Sequence, residues 1–397
     1  MTITDAGDRG IHIADTSVTV SGTTVTGSVR ANFAFLSGTF PDPWHVSISD
    51  SHFDESESSY GIDIFTIEGS IELSGVTTEA NARSGVFVQT SGDTQTTLTN
   101  VSATRNANWG LELLASATAH FELIDSDGDE NALGGGTIST RIDATAHSVG
   151  SDPTGNGGPG WEVDAWSPGS VTFERATAAQ NPVGFQLSLW AGPTVSIVDS
   201  AITGGSVGVG VDAQSSALSG GTVRIERTHV AGVGDNGLYV VDSPDVDIDV
   251  IDTEIEFEST SSPGAALHAE LLASTLTLDR TTITENPSAS AVNVAASVIG
   301  DDDSSFRMIS SKFEGNPGSP GLALDVAVPE VTIAHSTLRG GDTGAFLAPL
   351  DGRTSATVTH SIFEGGAFSL WTQRPTLTVD HSLVLTPAPN AEAGVAA

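Results

Sequence analysis

Apolar and polar residues alternate along this chain in short runs, and the runs recur. One kind opens on glycine: GIHI at 10, GIDI at 61, GVFV at 85, GLEL at 110, GWEV at 160, GFQL at 184, GVGV at 208, GLYV at 237 and GLAL at 321. A second kind follows in step: VSISDSHF at 46, FELIDSDG at 121, VSIVDSAI at 195, VRIERTHV at 223, LTLDRTTI at 276, VTIAHSTL at 331 and LTVDHSLV at 377. Each run has the period of two expected of a half-buried strand. No run places apolar residues at helical spacing. The interval is about 25 residues, with one opening missing near Gly136. Units this small bury their apolar faces only by stacking on one another.

Turn chemistry agrees. Asparagine shortly precedes the next glycine in NARSG at 81, NANWG at 106, NPVG at 181, NG at 236 and NPGSPG at 316. Asparagine tolerates left-handed backbone and glycine adopts it freely, so these residues are expected at corners. The pattern predicts an all-β, right-handed parallel β-helix of about fifteen coils over residues 1–386, with a Pro- and Ala-rich tail at 387–397. In architecture the repeat resembles the pectate-lyase-like superfamily of parallel β-helices, over roughly residues 2–386. No catalytic motif of that superfamily is matched.

The alternation assigns directions. In VTIAHSTL at 331, Val331, Ile333, Ser336 and Leu338 point inward, while Ala334 and His335 round the bend outward. Two inward columns result. An apolar one runs through Phe53, Ile202, Val230, Ile255, Ile283, Phe313, Leu338, Phe363 and Val384. A hydroxyl one runs through Ser51, Ser126, Ser200, Thr228, Thr253, Thr281, Ser311, Ser336, Ser361 and Ser382, placed to satisfy backbone groups at the bend. The outward column beside it is not uniform. It reads Asp50, Gly75, Asn100 and Asp125, then Arg175, Asp199, Arg227, Asp252, Arg280, Ser310, His335, His360 and His381. Alternating signs one coil apart suit a register-fixing charge ladder or a polar ligand strip. Three stacked histidines offer imidazole nitrogens to a metal, although ligands in a straight ladder do not surround one.

Charge narrows the partners. With 50 Asp and Glu against 14 Lys and Arg, the net charge is −36, and Lys312 is the only lysine. Such a field repels nucleic acid and anionic membrane and suits a high-salt milieu or an acidic exported protein. With no cysteine there is no disulfide or thiolate ligand. No apolar run reaches the roughly 18 residues of a membrane span. The N-terminus lacks the basic and apolar regions of a signal peptide and starts inside a strand-like pattern, so a fragment of a larger exported polypeptide is expected.

The candidate chemistry is sparse. Asp125, Asp127 and Asp129 place carboxylates at alternate positions around Gly128, a spacing apt for Ca²⁺, although the full calcium loop is not matched. Asp301, Asp302 and Asp303 form a weaker acidic cluster, and 245–258 alternates acidic with apolar residues as a solubilised strand does. YGID at 60 is similar to the start of the active-site motif of mannuronan epimerases, but GID is also the ordinary strand opening of the repeat, and no catalytic role is carried over to Tyr60 or Asp63. Where that family continues with Pro and His, this chain has Ile64 and Phe65, so the catalytic His is missing. Trp44, Trp109, Trp166, Trp190, Trp371 and Tyr239 are expected outward, where rings stack on sugars. Three functions follow as expectations. The first is a non-catalytic extracellular or cell-surface rod for adhesion, ligand display or structure, its partner a glycan or another surface protein. The others are a carbohydrate-active enzyme (lyase, epimerase or hydrolase) and a phage or viral tail-spike domain.

Overall fold

The computed structural model describes residues 1–37, 43–166, 168–212, 220–258, 265–285, 294–315, 322–340, 343–347, 355–365, 368–372, 376–385 and 395–396. Gly321, the prolines at 287 and 317, the side chain of Trp371 and most of the 387–397 tail lie outside them. The fold is an all-β parallel solenoid of about 13 turns, close to the fifteen expected, with no helix among the described residues. The chain divides into two compact units, Met1–Val195 and Ser196–Ala397.

In the first unit the regular coil lays down three strands, and like strands pair in parallel. The first sheet runs from Ile11–Ala14 to Val183–Trp190, and the second from Val18–Ser21 through His120–Ile124 and Thr145–Val149 to Ser170–Glu174. The third is six-stranded, from Thr2–Thr4 to Asp127–Asp129. It stops where Pro153 enters the position of the next strand, because proline has no N–H for the ladder. The second unit repeats the plan. Its first-sheet strands include Val207–Asp212 and Ala265–Leu272, and its third sheet runs from Ala201–Thr203 to Leu383–Leu385. Val395–Ala396, within the segment that composition assigns to the tail, pair with Leu370–Trp371.

The inward columns form the core. Phe53, Ile202, Val230, Ile255, Ile283, Phe313, Leu338 and Phe363 are all at most 2% exposed. Trp161 is fully buried against Phe173, and Phe173 against Phe185. The ring of Trp161 lies on Gly136, where a Cβ would come within 2.1 Å of it. That contact explains the missing apolar letter in this coil. The hydroxyl column works as a ladder. Ser311 Oγ donates to the Ile309 carbonyl at 2.8 Å and accepts from Thr281 N at 3.0 Å, while Ser336 Oγ accepts from Ser311 N at 3.2 Å.

The corner asparagines correct the expectation placed on them. In the first unit the left-handed residue is the one before: Ala80, Arg105, Glu130 and Gln180 have φ of 53°, 53°, 53° and 57°. Asn81, Asn106, Asn131, Asn156 and Asn181 are buried instead, and their amides stack rung on rung. Asn106 Nδ2 and Asn106 N both donate to Asn131 Oδ1, at 3.0 and 2.9 Å. Asn81 sends the same pair to Asn106. A side-chain amide both donates and accepts, so one residue type can propagate such a column through a dry interior.

Asn106→Ala strands two donors of Asn81 in the core, and we expect a loss of about 2–4 kcal/mol in chemical denaturation. Ala80→Gly should raise stability by about 0.5–1 kcal/mol, the left-handed cost of alanine less the entropy of glycine in the unfolded chain. A neutral or destabilising result would contradict the corner assignment.

Candidate functional site

Outward side chains of neighbouring strands stand about 4.8 Å apart, so chemistry on this surface comes from what one coil places beside the next. A cluster of imidazoles and carboxylates lies on the second sheet of the first unit. His120 and Glu122 share a strand two residues apart, and His147 is paired with Glu122 one coil on. His120 Nε2 lies 3.4 Å from Glu122 Oε2, and His147 Nδ1 lies 3.2 Å from Glu122 Oε1. The far nitrogens are occupied too. His120 Nδ1 meets Thr145 Oγ1 at 2.7 Å, and His147 Nε2 faces Glu174 at 3.8 Å, with Arg175 on the other side of Glu174 at 2.8 Å. All four side chains are half-buried.

This group does not stand out in the sequence. His120, Glu122 and His147 fall at outward positions of HFELI and TAHSV, which read as unremarkable copies of the repeat. Counting register through the coil at Gly136, which lacks the usual opening, is the signal that brings them together.

Asp125, Asp127 and Asp129 are placed differently from a calcium loop. Asp125 sits in the left-handed corner at φ 47°, while Asp127–Asp129 is a strand whose two carboxylates face outward on the same side. Asp127 Oδ1 accepts from Asp152 N at 2.5 Å, and Asp129 Oδ1 accepts from Thr154 N at 2.7 Å. These are the N–H groups flanking Pro153. The carboxylates replace the ladder bonds that the interrupted strand does not make. Among the described residues no three His, Asp or Glu side chains stand in a ready-made metal-binding arrangement.

Burial dominates the titration of this face. Desolvation raises Asp127 to about 6, against the backbone N–H of Asp152 and with the help of nearby Asp129 and Asp152. Desolvation also raises Asp54 to about 6 and lifts Asp129 above the usual carboxylate range.

The corner column is left-handed throughout, including Arg227 at 48°, Asp252 at 48°, Arg280 at 51° and His335 at 52°. Within the second unit it pairs as a ladder. Arg227 Nε meets Asp199 at 2.6 Å, and Arg280 donates to both carboxylate oxygens of Asp252, at 2.6 and 2.9 Å. These groups are exposed and screened by salt. His335, His360 and His381 stack face to face, with centroids 4.9 and 5.1 Å apart. Parallel rings in a column do not converge on one ion.

Several of the outward aromatics stack ring on ring. Trp166 and Trp190 stack at 4.7 Å and 5°, with Arg141 over Trp166. Tyr60 stacks on Phe87, and Tyr239 on His268. A sugar needs a free ring face. Asp63 is half-buried and shifted up by desolvation, with Arg9 and Arg83 opposing the shift. Arg83 covers the Tyr60 ring and donates to its hydroxyl at 3.3 Å. Beside Trp166, Glu162 is also raised, first by burial and then by Asp164.

No family model, curated protein or solved structure matches the chain.

Asp54 and Asp127 hold their protons more tightly folded than unfolded. Relative to alkaline pH, their contribution to stability is therefore complete below the ordinary carboxylate range and is lost as pH rises through about 6. We expect the thermal midpoint to rise as pH is lowered from 8 to 5. Asp127→Asn should add about 1 kcal/mol at pH 8, after discounting for partial exposure, and nothing at pH 4. Equal effects of the substitution at both pH values would refute this.

Proposed function

We propose that the chain is a non-catalytic β-solenoid rod, displayed outside the cell and serving adhesion, ligand display or structure. One observation carries this reading: outward polar and aromatic side chains are engaged one coil to the next. The Arg–Asp pairs, the stacked imidazoles, the Trp166–Trp190 stack and the carboxylates around Pro153 each bind a neighbouring coil of the same chain. Such ladders lock register and leave a regular surface. The net charge of −36 suits an acidic display surface and argues against nucleic acid and anionic membrane as partners. A glycan or another surface protein remains the partner class.

A second reading, a carbohydrate-active enzyme, draws on Glu162 and Asp164 at alternate outward positions of Trp161–Trp166, with Glu162 raised by burial as a general acid is. The readings separate by product analysis. After incubation with neutral and uronate polysaccharides, we expect no new reducing ends and no unsaturated product. Turnover that Glu162→Gln abolishes would replace the rod with the enzyme. In sedimentation, a stable trimer would favour the tail-spike reading.

A further inference from the structure

Nothing in the ladder logic of a rod requires His147 to face a carboxylate through each of its ring nitrogens, Glu122 on one side and Glu174 on the other. A neutral imidazole carries one N–H, so it can donate to at most one of those carboxylates and turns a lone pair to the other. Glu122 is flanked in turn by His120 and His147.

We propose that His120, Glu122 and His147 form a binding site for a divalent transition-metal ion of the zinc class. Sheet geometry supplies the first argument. Residues two apart on a strand point to the same side, and the partner one strand over lies about 4.8 Å away. His120, Glu122 and His147 thus form a compact triangle on one face. Distance supplies the second. Metal–ligand bonds of about 2.0–2.2 Å in a tetrahedron put neighbouring ligand atoms about 3.3–3.6 Å apart. The two imidazole–carboxylate separations are 3.4 and 3.2 Å.

The third argument is the bracing. Metal-binding histidines characteristically engage a hydroxyl, carbonyl or carboxylate through the nitrogen that does not bind the ion, which fixes the ring and raises its basicity. Thr145 Oγ1 stands at that position for His120, at 2.7 Å, and Glu174 for His147, at 3.8 Å. The donor set, two nitrogens and a carboxylate, selects the ion. It suits Zn²⁺, Ni²⁺, Co²⁺ and Cu²⁺, whereas Ca²⁺ and Mg²⁺ want oxygen alone. In the observed rotamers the groups stand at ion-pair separations from one another, so closing on an ion needs the rings to pivot about their side-chain torsions. About a third of each side chain is open to solvent, which leaves room for that movement and for entry of the ion.

The test is calorimetric titration of the chelator-treated chain with Zn²⁺. We expect one equivalent bound and a raised thermal midpoint, with Ca²⁺ giving neither. Glu122→Gln and His147→Gln should each remove the isotherm, and Thr145→Val should weaken it about 10-fold. The double substitution of His335 and His360 by Gln should leave it unchanged. Unfolding of each variant without metal separates loss of ligand from loss of fold. Co²⁺ on the unmodified chain gives a second readout, since a four- or five-coordinate site produces an intense visible band that the octahedral aqueous ion lacks. The proposal is overturned if Zn²⁺ does not bind the unmodified chain, or if binding survives both Glu122→Gln and His147→Gln. It is equally overturned if only the corner-stack substitutions abolish binding.

Discussion

Parallel coils stacked in register must follow one backbone path, and everything else in this chain depends on that constraint. Where the path turns sharply between the second and third strands, each coil supplies a residue with left-handed backbone. Asp50, Asp125, Arg175, Arg227, Arg280 and His335 all hold φ between 47° and 52°. A non-glycine residue gives up about 1–2 kcal/mol there. The serine or threonine that follows offsets part of this by bridging two coils, as Ser311 and Ser336 do. Conformational ease alone would fill the corner with glycine, as at Gly75 and Gly150. Arginine, aspartate and histidine stand there instead because their side chains reach the same position on the neighbouring coil. Arg280 on Asp252 and His335 on His360 are the clearest cases.

At the other corner, the described residues show two solutions. The first unit runs a buried column of asparagine amides from Asn81 to Asn181. In the second unit, the residue after the left-handed Gly232 is Val233, which is fully buried and pairs with the equally buried Phe257. An amide ladder ties each rung to the next with directional bonds, so one wrong rung strands its neighbours. An apolar column is tolerant of volume and of register. The register shift between Val230 and Val233 falls at this apolar pair.

Periodicity made the fold legible. Period-two alternation and recurring glycines identify the inward columns residue by residue, because burial in a solenoid is a property of the column. Two things escaped that reading. Asparagine tolerates left-handed backbone and also propagates a ladder, and the letter is the same for both, so Asn81 and Asn106 were expected one position away from their actual role. The His120–Glu122–His147 group escaped because it belongs to no single run. Its members meet only once register is carried through the coil in which Gly136 gives way to the ring of Trp161. Outward columns inherit every error in counting coils, whereas inward columns correct it through their apolar letters.

At the acidic segment Asp125–Asp129 the backbone supplies a structural account of two of the three carboxylates. Three carboxylates around a glycine suggest a cation. The backbone asks a different question, namely which N–H groups lack an acceptor. In regular coils the third strand bonds to the coil before it, as Asp127 N does to the Val101 carbonyl and Thr177 N to that of Ser151. Pro153 breaks this run, and the N–H groups of Asp152 and Thr154 turn to the carboxylates of Asp127 and Asp129. A carboxylate accepts such bonds more strongly than a neutral group. The cost appears as desolvation, which lifts both carboxyls out of the ordinary range. Proline and aspartate thus form one structural unit here, and the acidic pair follows from an interruption in the sheet one coil away.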